Sequence, residues 1–447
     1  MGSSTINCPL CESLYDIESQ ETYCLECGHP FDIEIWQKFW QDFEKKRAEE
    51  LAGIERRNHL KYGNCIICDK ALSANDIGKR GCHVKCVPDE LINHKTIIAE
   101  VTYLCNLKCK YCHVSKLDNS VFMSELTLQN MHLKVSKWNE GGETTIIWHG
   151  GEPLLAGIDF FYKVLEIQRT IPNIVFKNCI QSNGTLLTDS SFDFFDDNDL
   201  NIGFSLDGIR VAHDINRPYK NDQSSFYDTL YWIKQKIKGG AICVLNKTTI
   251  ENIELIYEFS KENQLAFKYN PLFQMGRALE HDNLGLSDDE LLTAYKKLFD
   301  LWHDDDPKER ARIDFFDSVF QGIKIINGED GKIVPFNCIF NNNCQHIYLC
   351  VAPNGDLYPC SRFAGEKEFL YGNINEERDL SDILDNEIRD RFLERHKGLD
   401  ECKSCKYLQL CNSGCPHTAY LAYGDIMRKH SLCQVYFDFY EYVQSKI

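Results

Sequence analysis

Nowhere in its 447 residues does the chain hold a run approaching the roughly 18 consecutive apolar residues that a membrane-crossing helix requires. Its opening, MGSSTINCPL, has neither the charged nor the apolar segment of a secretion signal, so a soluble, cytoplasmic protein with no membrane partner is expected. Positive charge is short as well: 49 Lys and Arg face 67 Asp and Glu, a net charge of −18. That balance repels a phosphate backbone, and no basic run with interleaved aromatics reverses it locally, which argues against a nucleic-acid ligand.

Cysteine, by contrast, is plentiful, at 22 residues. In a reducing compartment so many thiols are poor candidates for disulfides, and their short spacings point to metal or iron–sulfur ligation. Eight lie between Cys8 and Cys86, three between Cys105 and Cys112, and, leaving out Cys350, eight between Cys338 and Cys433. Cys179, Cys243 and Cys350 stand apart; the first two sit in apolar runs, where a free cysteine packs as a small hydrophobe. With 43% apolar residues the chain can build several packed units.

Short β-rich runs at 96–102, 144–149, 174–181, 201–206, 240–245 and 266–269 alternate with amphipathic stretches at 126–139, 158–170, 226–238 and 250–263. Repeated βα units predict parallel strands wrapped by helices, and six of them an α/β partial barrel, a (β/α)6 TIM-like sheet open on one side. In such folds the chemistry gathers where strands end and loops begin.

Directly after the first run comes Cys105-Asn-Leu-Lys-Cys109-Lys-Tyr-Cys112. Three thiolates on one tight loop can hold three corners of a cubane and leave its fourth iron without a protein ligand. A closed zinc site would need a fourth donor, for which only His113 is at hand. The CxxxCxΦC pattern, with Tyr111 in its aromatic slot, resembles the signature of the radical S-adenosylmethionine superfamily. His149-Gly150-Gly151-Glu152-Pro153, after the second run, is similar to that superfamily's GGEP motif. The resemblance implies that the open iron binds S-adenosylmethionine, that Tyr111 contacts this cofactor, that Gly150, Gly151 and Glu152 hold its ammonium group, and that Ser182, Asn183, Ser205, Asp207 and Arg217 contact its ribose and carboxylate. Asn183, Ser205 and Asp207 read equally well as turn or capping residues.

Farther on, Cys338, Cys344 and Cys360 precede Cys402-x2-Cys405-x5-Cys411-x3-Cys415, and Cys433 closes the series. Eight thiolates supply two four-cysteine sites, for zinc or for clusters by spacing alone. With Gly355 ahead of Cys360, the pattern resembles the SPASM extension of radical enzymes that modify peptides. The resemblance implies auxiliary clusters on Cys338, Cys344, Cys360 and Cys415 and on Cys402, Cys405, Cys411 and Cys433, three [4Fe–4S] clusters in all.

At the other end, Cys8-x2-Cys11 and Cys24-x2-Cys27 read as a zinc ribbon, and Cys65, Cys68, His83 and Cys86 as a second zinc site in which Cys82 competes with His83. An amphipathic helix is expected over 33–60. The expected domains are therefore a zinc-binding region at 1–92, the barrel at 93–325 and the SPASM domain at 326–447. No leader-peptide module of recognisable type is present, which leaves that task to the zinc region.

Among such enzymes, anaerobic sulfatase maturases, which form formylglycine, carry an aspartate immediately after the third auxiliary cysteine, where this chain has Ser361. The run Tyr358-Pro-Cys-Ser-Arg-Phe-Ala-Gly365, then Gly372-Asn-Ile, looks more like maturases that cross-link ribosomal peptides. The expected function is thus hydrogen abstraction from a short precursor peptide or protein by a 5′-deoxyadenosyl radical, followed by a C–C or thioether cross-link. Sulfatase maturation and small-molecule dehydrogenation are the alternatives, and an electron-transfer or zinc scaffold without turnover is the outside reading. An external donor such as flavodoxin or ferredoxin would supply the first electron.

Overall fold

The computed structural model of the chain describes residues 5–7, 14–16, 94–118, 120–139, 142–172, 174–235, 240–330, 338–340 and 344–447. The chain divides into two units, one of Met1–Ile77 with Gly81–Cys86, the other of Gly78–Arg80 with Val87–Ile447. In the first, β1 (Thr5–Asn7) pairs antiparallel with β2 (Leu14–Asp16). Both expected zinc sites, at Cys8, Cys11, Cys24 and Cys27 and at Cys65, Cys68, His83 and Cys86, lie outside the described residues, as does the helix expected over 33–60.

The second unit is built on one sheet of nine strands. Six are parallel and sequential: β3 (His94–Thr102), β4 (Glu143–Gly150), β5 (Val175–Ser182), β6 (Leu200–Ser205), β7 (Gly240–Leu245) and β8 (Ala266–Pro271). These are the six runs expected from the sequence, each within two residues at either end. Helices separate them, among them α1 (Glu125–Trp138), α2 (Ile158–Arg169), α3 (Asp189–Asp197), α4 (Arg210–Asn216), α5 (Phe226–Lys234) and α6 (Ile253–Glu262). Their starts are chemically marked: the Ser124 hydroxyl accepts from Thr127 N at 3.1 Å at the head of α1, and Thr188 and Ser191 form a capping box on α3. The result is the expected α/β partial barrel.

The cysteine-rich segment continues that sheet. β9 (Tyr348–Val351) adds parallel to the outer side of β3, and β10 (Asp356–Tyr358) and β11 (Gly372–Asn373) follow antiparallel. Two helices absent from the sequence reading, α7 (Asp288–Asp304) and α8 (Asp314–Ile326), carry the chain from β8 towards it. The C-terminal helix Cys433–Gln444 packs back on both, with Phe439 packed among Tyr295, Phe299, Phe315 and Phe316. One hydrophobic core therefore runs from Ile97 on β3 to Val443 in the last helix.

Candidate functional site

Side chains of a strand point alternately to its two faces. Here one face of the barrel strands packs under the helices, through Trp148, Ile180, Phe204, Cys243 and Phe267. The other face lines a cavity of about 560 Å3, through His149 of β4, Gln181 of β5, Ser205 of β6, Val244 of β7 and Asn270 of β8. Cys243 thus packs as the apolar run suggested. Cys179 shares the inward parity of Gln181 and is half-buried.

Cys105, Cys109, Cys112 and Tyr111 form part of the same wall. Their loop is gripped from two sides. The amides of Lys108 and Lys110 each donate over 2.9 Å to Pro218 and Asn216, while Arg277 N donates to the Cys112 carbonyl at 3.0 Å. Burial pushes the Cys105 thiol up to about 11 and Cys109 to about 12, with Arg217 pulling Cys109 back. Neutral thiols do not hold iron, so a cluster held here would have to favour the thiolates by its own positive charge, with Arg217 acting in the same direction.

Gly151 and Gly150 bring the end of β4 onto the residues leading into this loop. The Gly151 amide donates to Thr102 at 2.7 Å. A Cβ on Gly151 would fall 2.2 Å from the Leu104 carbonyl, so only glycine permits the approach. Glu152 does not reach the cavity. It is fully buried, and its carboxylate accepts from Leu154 N, the Ser182 hydroxyl and Asn183 N at 3.1, 2.9 and 2.8 Å.

Of the residues expected to contact S-adenosylmethionine, Tyr111, Gly150, Gly151, Asn183, Ser205 and Arg217 line the cavity, whereas Glu152, Ser182 and Asp207 stand behind it. Asp207 faces Arg217, Nε to Oδ1 3.3 Å, and accepts from the Tyr111 hydroxyl. The Arg217 guanidinium lies 5.1 Å over the Tyr111 ring. His213 is buried away from the cavity, its Nε2 3.0 Å from the Ser225 hydroxyl.

Cys344, Cys360 and Cys415 also line this cavity, with Ser361 and Arg362. Cys338 opens a short 3₁₀ turn, Cys338–Phe340, and its side chain lies outside the described residues. Cys402, Cys405, Cys411 and Cys433 gather elsewhere: burial raises the Cys411 thiol to about 12, and the other three thiols add to the effect. Between the two groups, buried Arg395 donates to the carbonyls of Ser413 at 2.8 Å and Gly414 at 3.2 Å, and senses Cys415, Cys344, Cys402 and Cys411.

Several residues of the site were not singled out from the sequence. Gly276 and Arg277 clamp the cluster loop, and Arg362 lies 4.4 Å over the Phe273 ring at the cavity wall. Glu100 is fully buried on β3. Its one sequence signal is a carboxylate inside the otherwise uncharged β-rich run TIIAEVT, where a lone charge is costly.

The donor set suits an iron–sulfur centre with S-adenosylmethionine. Three thiols share one wall, the glycine turn leaves room for close approach, and the half-buried His149 presents a buried Nδ1 without a protein partner. Residues 99–260 match the radical SAM superfamily and residues 338–406 the SPASM iron–sulfur cluster-binding domain. The chain therefore carries a radical SAM domain followed by a C-terminal SPASM domain, and it is an enzyme whose cofactors are S-adenosylmethionine and iron–sulfur clusters. Over 355 residues it is 29% identical to the cysteine-type anaerobic sulfatase-maturating enzyme of Clostridium perfringens, an alignment of 76% of this chain and 93% of the relative. Among solved structures, anSMEcpe with bound AdoMet and Kp18Cys peptide is similar at a TM-score of 0.68 and 25% identity, covering 79% of this chain and 98% of that one. SuiB of Streptococcus suis bound to its precursor peptide SuiA shares the fold, at a TM-score of 0.56 and 16% identity, with 77% and 76% covered. No helix among the described residues is long and apolar enough to cross a membrane.

Proposed function

We propose that this chain oxidises a side chain of a peptide or protein substrate by two electrons, in the manner of formylglycine formation from cysteine or serine. One observation carries the reading: a single cavity is walled by Cys105, Cys109 and Cys112 and also by Cys344, Cys360 and Cys415. Its volume of about 560 Å3 is that of an ordinary small-molecule site. When bound to Cys105, Cys109 and Cys112, the cluster with S-adenosylmethionine supplies a carbon radical that takes one hydrogen atom from the substrate.

The chain's own residues bind and orient. Gly150 and Gly151 offer backbone, Asn183 and Ser205 an amide and a hydroxyl for the ribose, and Arg217 a guanidinium for the carboxylate. Glu152 and Asp207 act from behind, holding Asn183 and Arg217 in place. Cys338, Cys344, Cys360 and Cys415 would carry one auxiliary cluster and Cys402, Cys405, Cys411 and Cys433 another; the proximity of the last four thiols supports that division. The first electron comes from a flavodoxin- or ferredoxin-like donor. The described complex of anSMEcpe with a Cys peptide supports a peptide substrate.

Peptide cross-linking is the second reading, favoured by Ser361, which puts no carboxylate directly after Cys360. Both readings share the first hydrogen abstraction and part afterwards. Anaerobic incubation of the reconstituted enzyme with dithionite, S-adenosylmethionine and a peptide bearing cysteine or serine separates them by mass spectrometry. Formylglycine from cysteine loses two hydrogens and exchanges sulfur for oxygen; from serine it loses only two hydrogens, as a cross-link does, but it leaves an aldehyde that a hydrazine reagent tags, which a cross-link does not. If no 5′-deoxyadenosine forms, or if it still forms in Cys105→Ala, the reading is wrong.

A further inference from the structure

Glu100 contributes to no contact described so far in binding cluster or cofactor. Its Oε2 accepts from the Tyr103 hydroxyl at 2.5 Å and its Oε1 from the Ser361 hydroxyl. Ser361 reaches the cavity wall beside Cys360, and His113 Nε2 lies 3.4 Å from its oxygen. The other groups that bear on Glu100 are Cys350 of β9 and Tyr358 of β10, while Arg362 stands with Ser361 on the cavity side. A hydroxyl exposed to the substrate is thus wired to a carboxylate sealed from water.

We propose that Ser361 takes the proton released by the oxidised substrate and that Glu100, acting through Ser361 as a positioning residue, receives it. The inference rests on the maturase reading above. After hydrogen abstraction the substrate carbon carries one unpaired electron. Closing a C=S or C=O bond then breaks the adjoining S–H or O–H bond. That proton passes to Ser361 Oγ as the Ser361 proton moves to Glu100, and the remaining electron leaves to an oxidised [4Fe–4S] centre. A second observation fits the role. Burial holds Glu100 up at about 7, against the pull of its hydrogen bonds from Ser361, Tyr103 and Cys350, and an acceptor of that strength suits neutral pH.

The test uses reconstituted enzyme, S-adenosylmethionine, dithionite and synthetic peptides carrying a single cysteine or serine. In E100Q and S361A, oxidised peptide per 5′-deoxyadenosine should fall on the order of a hundredfold while 5′-deoxyadenosine still forms. The acid limb of the wild-type pH profile should vanish in E100Q and return in part in E100D. Ser361→Asp placed on E100Q should restore product by presenting a carboxylate at the wall itself. A readout independent of turnover is stability: E100Q should gain on wild type as pH rises from about 5 to about 8, because a buried acid with a raised pKa destabilises the fold once ionised. Should E100Q fail to fold, S361A, which leaves Glu100 bonded to Tyr103, decides. Wild-type coupling with an intact acid limb in E100Q overturns the inference, as does loss of that limb only in His113→Gln. A wild-type enzyme that oxidises neither peptide removes the maturase reading itself; a productive wild type with an indifferent E100Q removes only this one.

Discussion

Arg277 Nη1 donates a 2.8 Å hydrogen bond to the carbonyl of Cys109. The segment after β8 thereby closes on the loop after β3, and Gly276 makes the contact possible. Its φ is +55°, and a Cβ there would lie 2.2 Å from the Cys112 carbonyl. Gly276→Ala should therefore push the cluster loop open, at a cost on the order of 1–3 kcal/mol for the backbone conformation alone. The expected result is less iron retained per chain after anaerobic reconstitution, with Arg277→Ala milder because the backbone bond from residue 277 survives.

Arg217 and Asp207 form an ion pair with almost no exposure, 7% and 0%. Removing one partner leaves the other charge uncompensated. Arg217→Met should cost about 3–5 kcal/mol in urea unfolding, and adding Asp207→Asn should recover part of the loss. A double variant less stable than Arg217→Met would show that the pair is not coupled as its geometry indicates.

Phe439 is fully buried, its ring 5.5 Å from Tyr295 and 5.7 Å from Phe315. Phe439→Ala should cost about 3–5 kcal/mol, the usual result of opening a cavity among aromatics. Since Cys433 begins the same helix, iron at the distal cysteine group should be lost together with stability while the cluster-loop site keeps its own. Iron content per chain and thermal unfolding of the same samples check this.

Glu152 is held up at about 7 by burial, against hydrogen bonds from Asn183, Leu154 and Ser182, where an ordinary glutamate titrates at 4.5. The unfolded chain thus releases this proton first. The stability contribution is complete below about pH 4.5 and is lost as the pH climbs through about 7. Urea unfolding across that window should show Glu152→Gln improving relative to wild type as pH rises. A difference that stays flat, or tilts the other way, would mean that the three hydrogen bonds outweigh burial.

Legibility differed by the range of the interaction. The six barrel strands were readable because alternation and βα spacing are local, and all six runs formed. Helices α7 and α8 were not singled out, although Ser287 and Glu290 cap the first in a recognisable box. β9 was invisible as a barrel strand, because four residues pair parallel to β3 across some 250 positions of intervening chain. The GGEP resemblance singled out the end of β4, where Gly150 and Gly151 line the cavity, yet the direction of the Glu152 side chain depended on Ser182 and Asn183 of another strand end.

Sequence by itself determined the chemistry: a tripod of thiolates at a strand end and two further sets of cysteines, properties carried by spacing within a few residues. Tertiary structure alone decided which of those cysteines share a cavity and what stands beside them. Parallel pairing of β9 with β3 draws Cys344, Cys360 and Ser361 to the wall that holds Cys105. The same pairing sets Ser361 against Glu100, 261 positions earlier. Such a contact depends on sheet register and burial, and no local pattern of residues encodes it.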